Sequence, residues 1–325
     1  MNQRPPRLQH YVPQFLLRRF ARADGNVWAY DTVQRKMFCA APKGLAAEGY
    51  FYGPNTARAT PQSTAIETWL ANEVEAPGAE AIAALISRAK LSGQQTAAFF
   101  RFVAAQMQRT PTMLQRAADC AAPVFQESAE RMMKYDQGFR QKVVAKVHGT
   151  GATEADLAEF VRMLDEATFT VTPTREFAIA NALSIMDLVV GQLAKMRWEF
   201  VEVPVTDGDL IIGDHPITLA DVRGEDHWAG PLGLTNPHIE LALPLSSRVV
   251  ALAHWDGPIC YGELAPGTAA SLNERTLSQI KRFAYGSFQS DELLARAMAL
   301  HGTGPKMRNH RMQIGEKLIM VSEFR

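Results

Sequence analysis

Several polar side chains in this sequence stand where hydrophobic packing alone would not put them. In the segment that begins at Ser92, Phe99, Phe102 and Val103 mark a buried helical stripe. Gln106 lies four residues after Phe102 and Arg109 three after Gln106, so both continue that stripe. An arginine on an apolar face needs a partner, because an unpaired buried charge is costly. Arg109 either bonds carbonyls or a structural carboxylate at the helix end, or presents its planar fork to a phosphate or carboxylate ligand. Asp214 closes the apolar run Leu210–Gly213 and is followed by His215-Pro216. A carboxylate at the end of a buried strand is a recurrent place for catalytic and ligand-binding groups. It is equally a place where an Asp side chain ties down backbone amides. Neighbours in an extended chain point to opposite sides, so Asp214 and His215 do not read as one dyad.

His10 precedes a proline-started helix on which Gln14 and Arg18 recur at helical spacing. It reads as a general base or metal ligand, or as a satisfied imidazole beside the helix start. Asn273 shares a helix face with Leu277, Ile280 and Ala284, where an inward amide either satisfies a backbone group or orients a substrate. Glu67 and Glu75 lie eight residues apart on one helical segment. The pattern Thr64-x-x-Glu67 gives Glu67 a capping role, which leaves Glu75 as the candidate to meet Arg109.

Together these residues suit hydrolysis of a phosphoester or other anionic substrate, a metal-dependent nuclease being one version. His10 is then the proton-transfer group, Arg109 stabilises developing negative charge, and Asp214 acts as base or metal ligand. Gln14, Gln106 and Asn273 are the substrate-binding candidates, and Asp214 and Glu75 the metal-binding ones. Such an oxygen-rich set suits Mg²⁺ or Mn²⁺ better than Zn²⁺. The expected partner is an anionic small molecule or a nucleic acid. Two other readings stand beside this one. The chain is a non-catalytic ligand-binding or regulatory protein, or it is an interaction protein of the defence- or toxin-associated kind whose polar residues are structural.

Composition narrows these choices. With 325 residues the chain builds one large domain or two intimately packed ones, divisible at about 60 and 197. Lys+Arg and Asp+Glu are both 34, and this balance argues against a generic nucleic-acid binder. Cys39, Cys120 and Cys260 are widely spaced and form no CxxC pair, the pattern of reduced thiols in a cytoplasm rather than a disulfide framework or zinc knuckle. The opening residues have no apolar stretch of the secretory kind. No apolar run nears the ~20 residues a membrane span needs. GxGxxG, P-loop and HExxH motifs are absent.

The elements that must position these residues follow from periodicity. A short helix is predicted from Pro13 to Ala21, then a hairpin of Val27–Thr32 and Lys36–Ala40. Helices follow, broken or kinked at Pro77-Gly78, capped by Ser92-x-x-Gln95 and ended at Thr110-Pro111. Further helices are expected over about 111–133, 153–167 and 174–196. After Arg197 the pattern alternates, predicting strands at Trp198–Val203, Leu210–Gly213, Ile239–Leu245 and Arg248–His254. A helix from Thr268 to Phe283, a strand at Tyr285–Phe288, a helix near Glu292–Leu300 and a strand near Lys317–Val321 complete the chain. The basic stretch Lys306–Arg311 reads as a solvated loop. Hairpin, helical bundle and then a mainly antiparallel sheet with helices make an α+β fold.

One resemblance emerges from this order of motifs. His10-Tyr11-Val12-Pro13-Gln14, running into Phe15-Leu16-Leu17-Arg18-Arg19-Phe20, resembles the opening of an uncharacterised, mainly bacterial family, domain of unknown function 4238. Gln106-x-x-Arg109-Thr110-Pro111, the Trp198-led strand, Asp214-His215-Pro216 and Leu272-Asn273 are similar to its later landmarks. The resemblance spans about 10–290 and implies one intact domain. It implies no activity.

Overall fold

The computed structural model describes residues 8–53, 61–223, 233–255, 260–305, 307–314 and 317–324, with backbone alone for 61–63, 260–261 and the last two segments. The chain opens with a short strand, β1 (Leu8–His10). Pro13, extended at ψ 142°, caps α1 (Gln14–Leu17), which tightens into a 3-10 turn through Phe20 and buries Leu16, Leu17 and Phe20. β2 (Val27–Asp31) and β3 (Lys36–Ala40) form the expected hairpin. β4 (Ala47–Gly49) then returns to pair with β1.

The helical part departs from the sequence reading where proline and local capping decide. α2 (Pro61–Trp69) begins before Thr64, so Thr64 lies inside the helix and does not cap it. A π-helical turn, Leu70–Glu75, links α2 to α3 (Ala76–Ile86). Pro77 has no N–H to give the Glu73 carbonyl, and the wider turn forms there. Across it Leu70 and Val74 are buried, whereas Trp69 is 37% exposed. α4 (Gly93–Gln108) carries the predicted capping box, with Ser92 Oγ accepting the Gln95 N–H at 3.2 Å. Thr110, extended as a residue before proline must be, ends α4 and caps α5 (Pro111–Tyr135). α6 (Gln137–His148) was not expected; its polar composition carries no clear stripe, and none of its residues is buried. α7 (Glu154–Asp165) follows. The single helix expected over 174–196 is two, α8 (Arg175–Ser184) and α9 (Met186–Leu193), bent by 40°. Among the described residues no single helix is long and apolar enough to cross a membrane, and the bent pair buries Ile179, Ala182, Met186 and Leu193 in the protein core.

β5 (Arg197–Glu202) starts the larger sheet. Only Ile212–Gly213 of the predicted strand pairs, as β6, and β7 (Thr218–Asp221) follows His215-Pro216 unpredicted. β8 (Ile239–Pro244) and β9 (Val249–His254) form the expected hairpin, and β10 (Cys260–Glu263) pairs parallel with β5. The sheet order is β10-β5-β9-β8-β7, antiparallel except at β10. α10 (Thr268–Gln279), β11 (Phe283–Gly286) and α11 (Asp291–Leu300) come next. β11 pairs with β2 on one side and β6 on the other, so the N-terminal hairpin becomes half of a four-stranded sheet, β3-β2-β11-β6. Of the basic stretch expected as loop, Met307–Arg311 is instead part of β12 (Met307–Ile314), paired along its length with β13 (Lys317–Phe324), and Lys306 lies outside the described residues. The fold is α+β. Its core joins the two parts where Phe99 of α4 meets Trp198 and Phe200 of β5, ring centroids 5.0 and 5.8 Å apart.

Candidate functional site

The Arg-Thr-Pro break between α4 and α5 sends successive side chains into two different places. Arg109 turns toward the π-helical turn. Its Nη1 donates to Glu75 Oε1 at 2.6 Å, and its Nε and Nη2 donate to Gln106 Oε1 at 3.0 and 2.9 Å. Gln106 in turn donates to the Tyr11 carbonyl at 2.8 Å. Arg109 is 3% exposed and Gln106 wholly buried, so the guanidinium is desolvated and held by one carboxylate and one amide. Burial disfavours its charge, but Glu75 and the Tyr52 hydroxyl outweigh that and hold its pKa above the usual value. Glu75 therefore meets Arg109, as its lack of a capping role suggested.

A cleft of about 430 Å³ opens beside this pair, lined by His10, Gln14, Arg18, Tyr52, Glu67 and Glu75 among others. Of the sequence-predicted residues, His10, Gln14 and Glu75 face it. His10 Nε2 lies 3.2 Å from the Lys43 carbonyl, and burial lowers its pKa. Gln14 accepts from Arg18 Nη2 at 3.0 Å. Glu67, rather than capping a helix, accepts from buried Gln9 at 3.1 Å. Burial first, and Glu75 nearby, raise its pKa.

Asp214 and Asn273 are not part of this cleft. Asp214 is 3% exposed, and its two oxygens accept the backbone N–H groups of Lys281, Arg282 and Phe283 at 2.8, 2.7 and 2.9 Å. Burial raises its pKa against the pull of those three donors. Its carboxylate thus fastens the turn between α10 and β11 to the end of β6. Asn273 bridges the Ile211 N–H and the Asp209 carbonyl, both at 3.0 Å. Both side chains take the backbone-satisfying alternative. Among the described residues no group of three His, Cys, Asp or Glu side chains is placed to hold a metal ion, and Asp214 and Glu75 line no common pocket.

The larger cavity lies on the other side of the break. It measures about 730 Å³ and is walled by α4, α5, α8, α9, the β6–β7 connection and the end of α10. Its walls are mainly Met107, Met113, Phe177, Val189, Ile217 and Leu219; exposed Leu188 and Thr235 stand on its rim. Trp255 pins that rim through Nε1 to the Leu234 carbonyl at 3.0 Å. Gln279 also lines it, but both its amide groups bond the Leu219 backbone.

Beside the break, three polar groups in this wall keep hydrogen-bonding capacity; exposed Asn181 and half-buried Gln192 stand farther along on α8 and α9. His215 is 6% exposed, and its Nδ1 lies 2.8 Å from Thr110 Oγ1. Thr110 is wholly buried and already accepts the Met113 N–H at 3.4 Å. Its own proton needs an acceptor, and Nδ1 is the one within reach, which places the imidazole proton on Nε2. Burial, reinforced by the Arg116 charge, pushes the His215 pKa down to about 3 and keeps the ring neutral. Gln108 is 8% exposed and has no side-chain hydrogen bond among the described residues. Arg116 donates to the Pro305 carbonyl at 3.2 Å and has no carboxylate within ion-pairing distance among the described residues. Burial lowers its pKa. Among the described residues no Asp or Glu lines the cavity.

Gln108 and Arg116 escaped the sequence reading. Gln108 continues the buried end of α4 beyond Gln106, and that is the one signal the sequence offered. Arg116 sits on an amphipathic helix where an arginine is unremarked until α8, α9 and the sheet enclose it.

Comparison with curated proteins and with solved structures finds no match. A family model does match, over residues 8–285, which takes in β1 through α10, most of β11, the Arg-Thr-Pro break and the lining of both pockets except Pro305. The chain belongs to the family described as "Protein of unknown function (DUF4238)".

Proposed function

We propose that this protein binds a small, largely apolar molecule in the cavity between α4, α5, α8, α9 and the sheet, without transforming it. The observation that carries the reading is the cavity itself: about 730 Å³, walled mostly by apolar side chains, with Gln108 free of side-chain hydrogen bonds among the described residues and His215 and Arg116 keeping N–H groups to spare. That combination is the usual form of a ligand site. Against the phosphoester-hydrolase expectation weighs the saturation of its key residues. Asp214 spends both oxygens on backbone amides, and Arg109 is held by Glu75 and Gln106. A reacting group engaged in this way is not free to take a proton or a metal ion. A cytoplasmic setting is part of the same reading, supported by three widely spaced cysteines with no CxxC pair.

The test is uptake of N-phenyl-1-naphthylamine, a neutral probe that brightens in apolar surroundings. One probe per chain is expected to bind, and Ala117→Phe, which fills the cavity from α5, is expected to abolish the signal while the protein keeps its circular dichroism. Equal brightening in both proteins would place the probe elsewhere and remove the basis of the reading.

A further inference from the structure

We infer that the cavity's natural ligand is an apolar monocarboxylic acid whose carboxylate is held by Arg116, Gln108 and His215. The inference rests on the ligand-binding reading above and assigns the ligand's chemical class. Three observations meet in it. The first is charge. Among the described residues Arg116 is the one charged side chain in the cavity wall, and no described carboxylate pairs with it. A partly desolvated guanidinium without a counter-ion is costly, and a ligand anion removes that cost. A single guanidinium matches a monoanion in charge, and its planar fork matches a carboxylate in shape.

The second is donor polarity. Thr110 uses Nδ1 of His215 as an acceptor, so Nε2–H is left as a donor. The Gln108 amide supplies another. With Arg116, all three residues offer N–H groups to the cavity, and no described carboxylate in the wall competes for them. The third is the apolar remainder of the wall. Met107, Met113, Phe177, Val189, Ile217 and Leu219 favour a hydrocarbon or aryl body and disfavour a sugar or nucleotide. A phosphate monoester has the same donors to satisfy, but carries close to two charges against one cation.

The experiment displaces the neutral probe from the full-length protein at 0.15 M salt with four ten-carbon ligands: decanoate, 1-decanol, decylamine and decyl phosphate. Decanoate is expected to bind about tenfold or more tighter than decanol, as one charge-assisted contact gives, and decylamine weakest of all. Arg116→Met and Arg116→Gln should each weaken decanoate about tenfold and leave decanol within about twofold, and His215→Gln and Gln108→Leu should reduce decanoate by smaller factors. Decanol matching decanoate, decylamine binding as well as decanoate, or both Arg116 variants keeping the acid preference would overturn the carboxylate assignment while leaving the cavity reading in place. Decyl phosphate winning over decanoate would overturn it in favour of a phosphorylated head group. Failure of the probe and all four ligands to bind would sink the assignment together with the reading on which it rests.

Discussion

The hydroxyl of Thr110 lies 2.8 Å from Nδ1 of His215, and through this contact the break between α4 and α5 is tied to the turn after β6. Arg109 holds Glu75 in the wall of one pocket, and Thr110 supports His215 in the wall of the other. The same contact fixes the tautomer of a histidine that burial keeps neutral, and that has a measurable consequence.

The folded-state pKa of His215 is depressed from the ordinary 6.5 to about 3. A depressed pKa means that the unfolded chain binds the proton more readily than the folded one. Stability from this group is therefore complete above pH 6.5 and is lost as pH falls from there toward 3. Between pH 6 and pH 5 the wild type should lose about 1 kcal/mol more than His215→Gln. Urea midpoints at pH 7, 6 and 5 for both proteins measure it. Parallel pH profiles would show that the ring is not buried neutral.

Removing one partner of the Arg109–Glu75 pair strands a buried charge. Glu75→Ala should destabilise the fold by about 3 kcal/mol, because Arg109 is left with Gln106 and Tyr52 alone. The double substitution Arg109→Met with Glu75→Leu should recover most of that loss. Guanidinium unfolding of the two variants decides between a pair that stabilises through its own contacts and one whose value lies in mutual neutralisation.

Asp214→Ala leaves the N–H groups of Lys281, Arg282 and Phe283 without their acceptor. The expected loss is about 3 kcal/mol of stability or more, since bonds to a charged acceptor are the stronger kind. Probe affinity of the fraction that remains folded should be unchanged. A variant with wild-type stability but no ligand binding would return Asp214 to the functional site.

The approach of α3 to α4 depends on Gly78, where an added Cβ would stand 2.7 Å from Cβ of Phe102. Gly78→Ala should cost about 1–3 kcal/mol despite alanine's better helix propensity. Thermal melts test the sign: a stabilised Gly78→Ala protein would mean that the two helices can move apart freely.

The sequence by itself determined what depends on near neighbours. The Ser92 capping box, the stop at Thr110-Pro111, the β2–β3 and β8–β9 hairpins and the inward faces of Gln106 and Arg109 are set by spacing and by proline stereochemistry, and they stand in the structure as read. It also showed that buried polar groups would need partners, and it picked out Glu75 for Arg109. Tertiary structure alone decided which partners the others took. Asp214 and Asn273 had two uses each, and the choice went to backbone amides delivered from residues more than sixty positions away. The π-helical turn that aims Glu75 arises from a proline and from packing against α4, and neither alone specifies it. The cavity has no local signature, because its wall is assembled from five helices and strands far apart in the chain, and an unpaired arginine becomes visible only when the surfaces around it close.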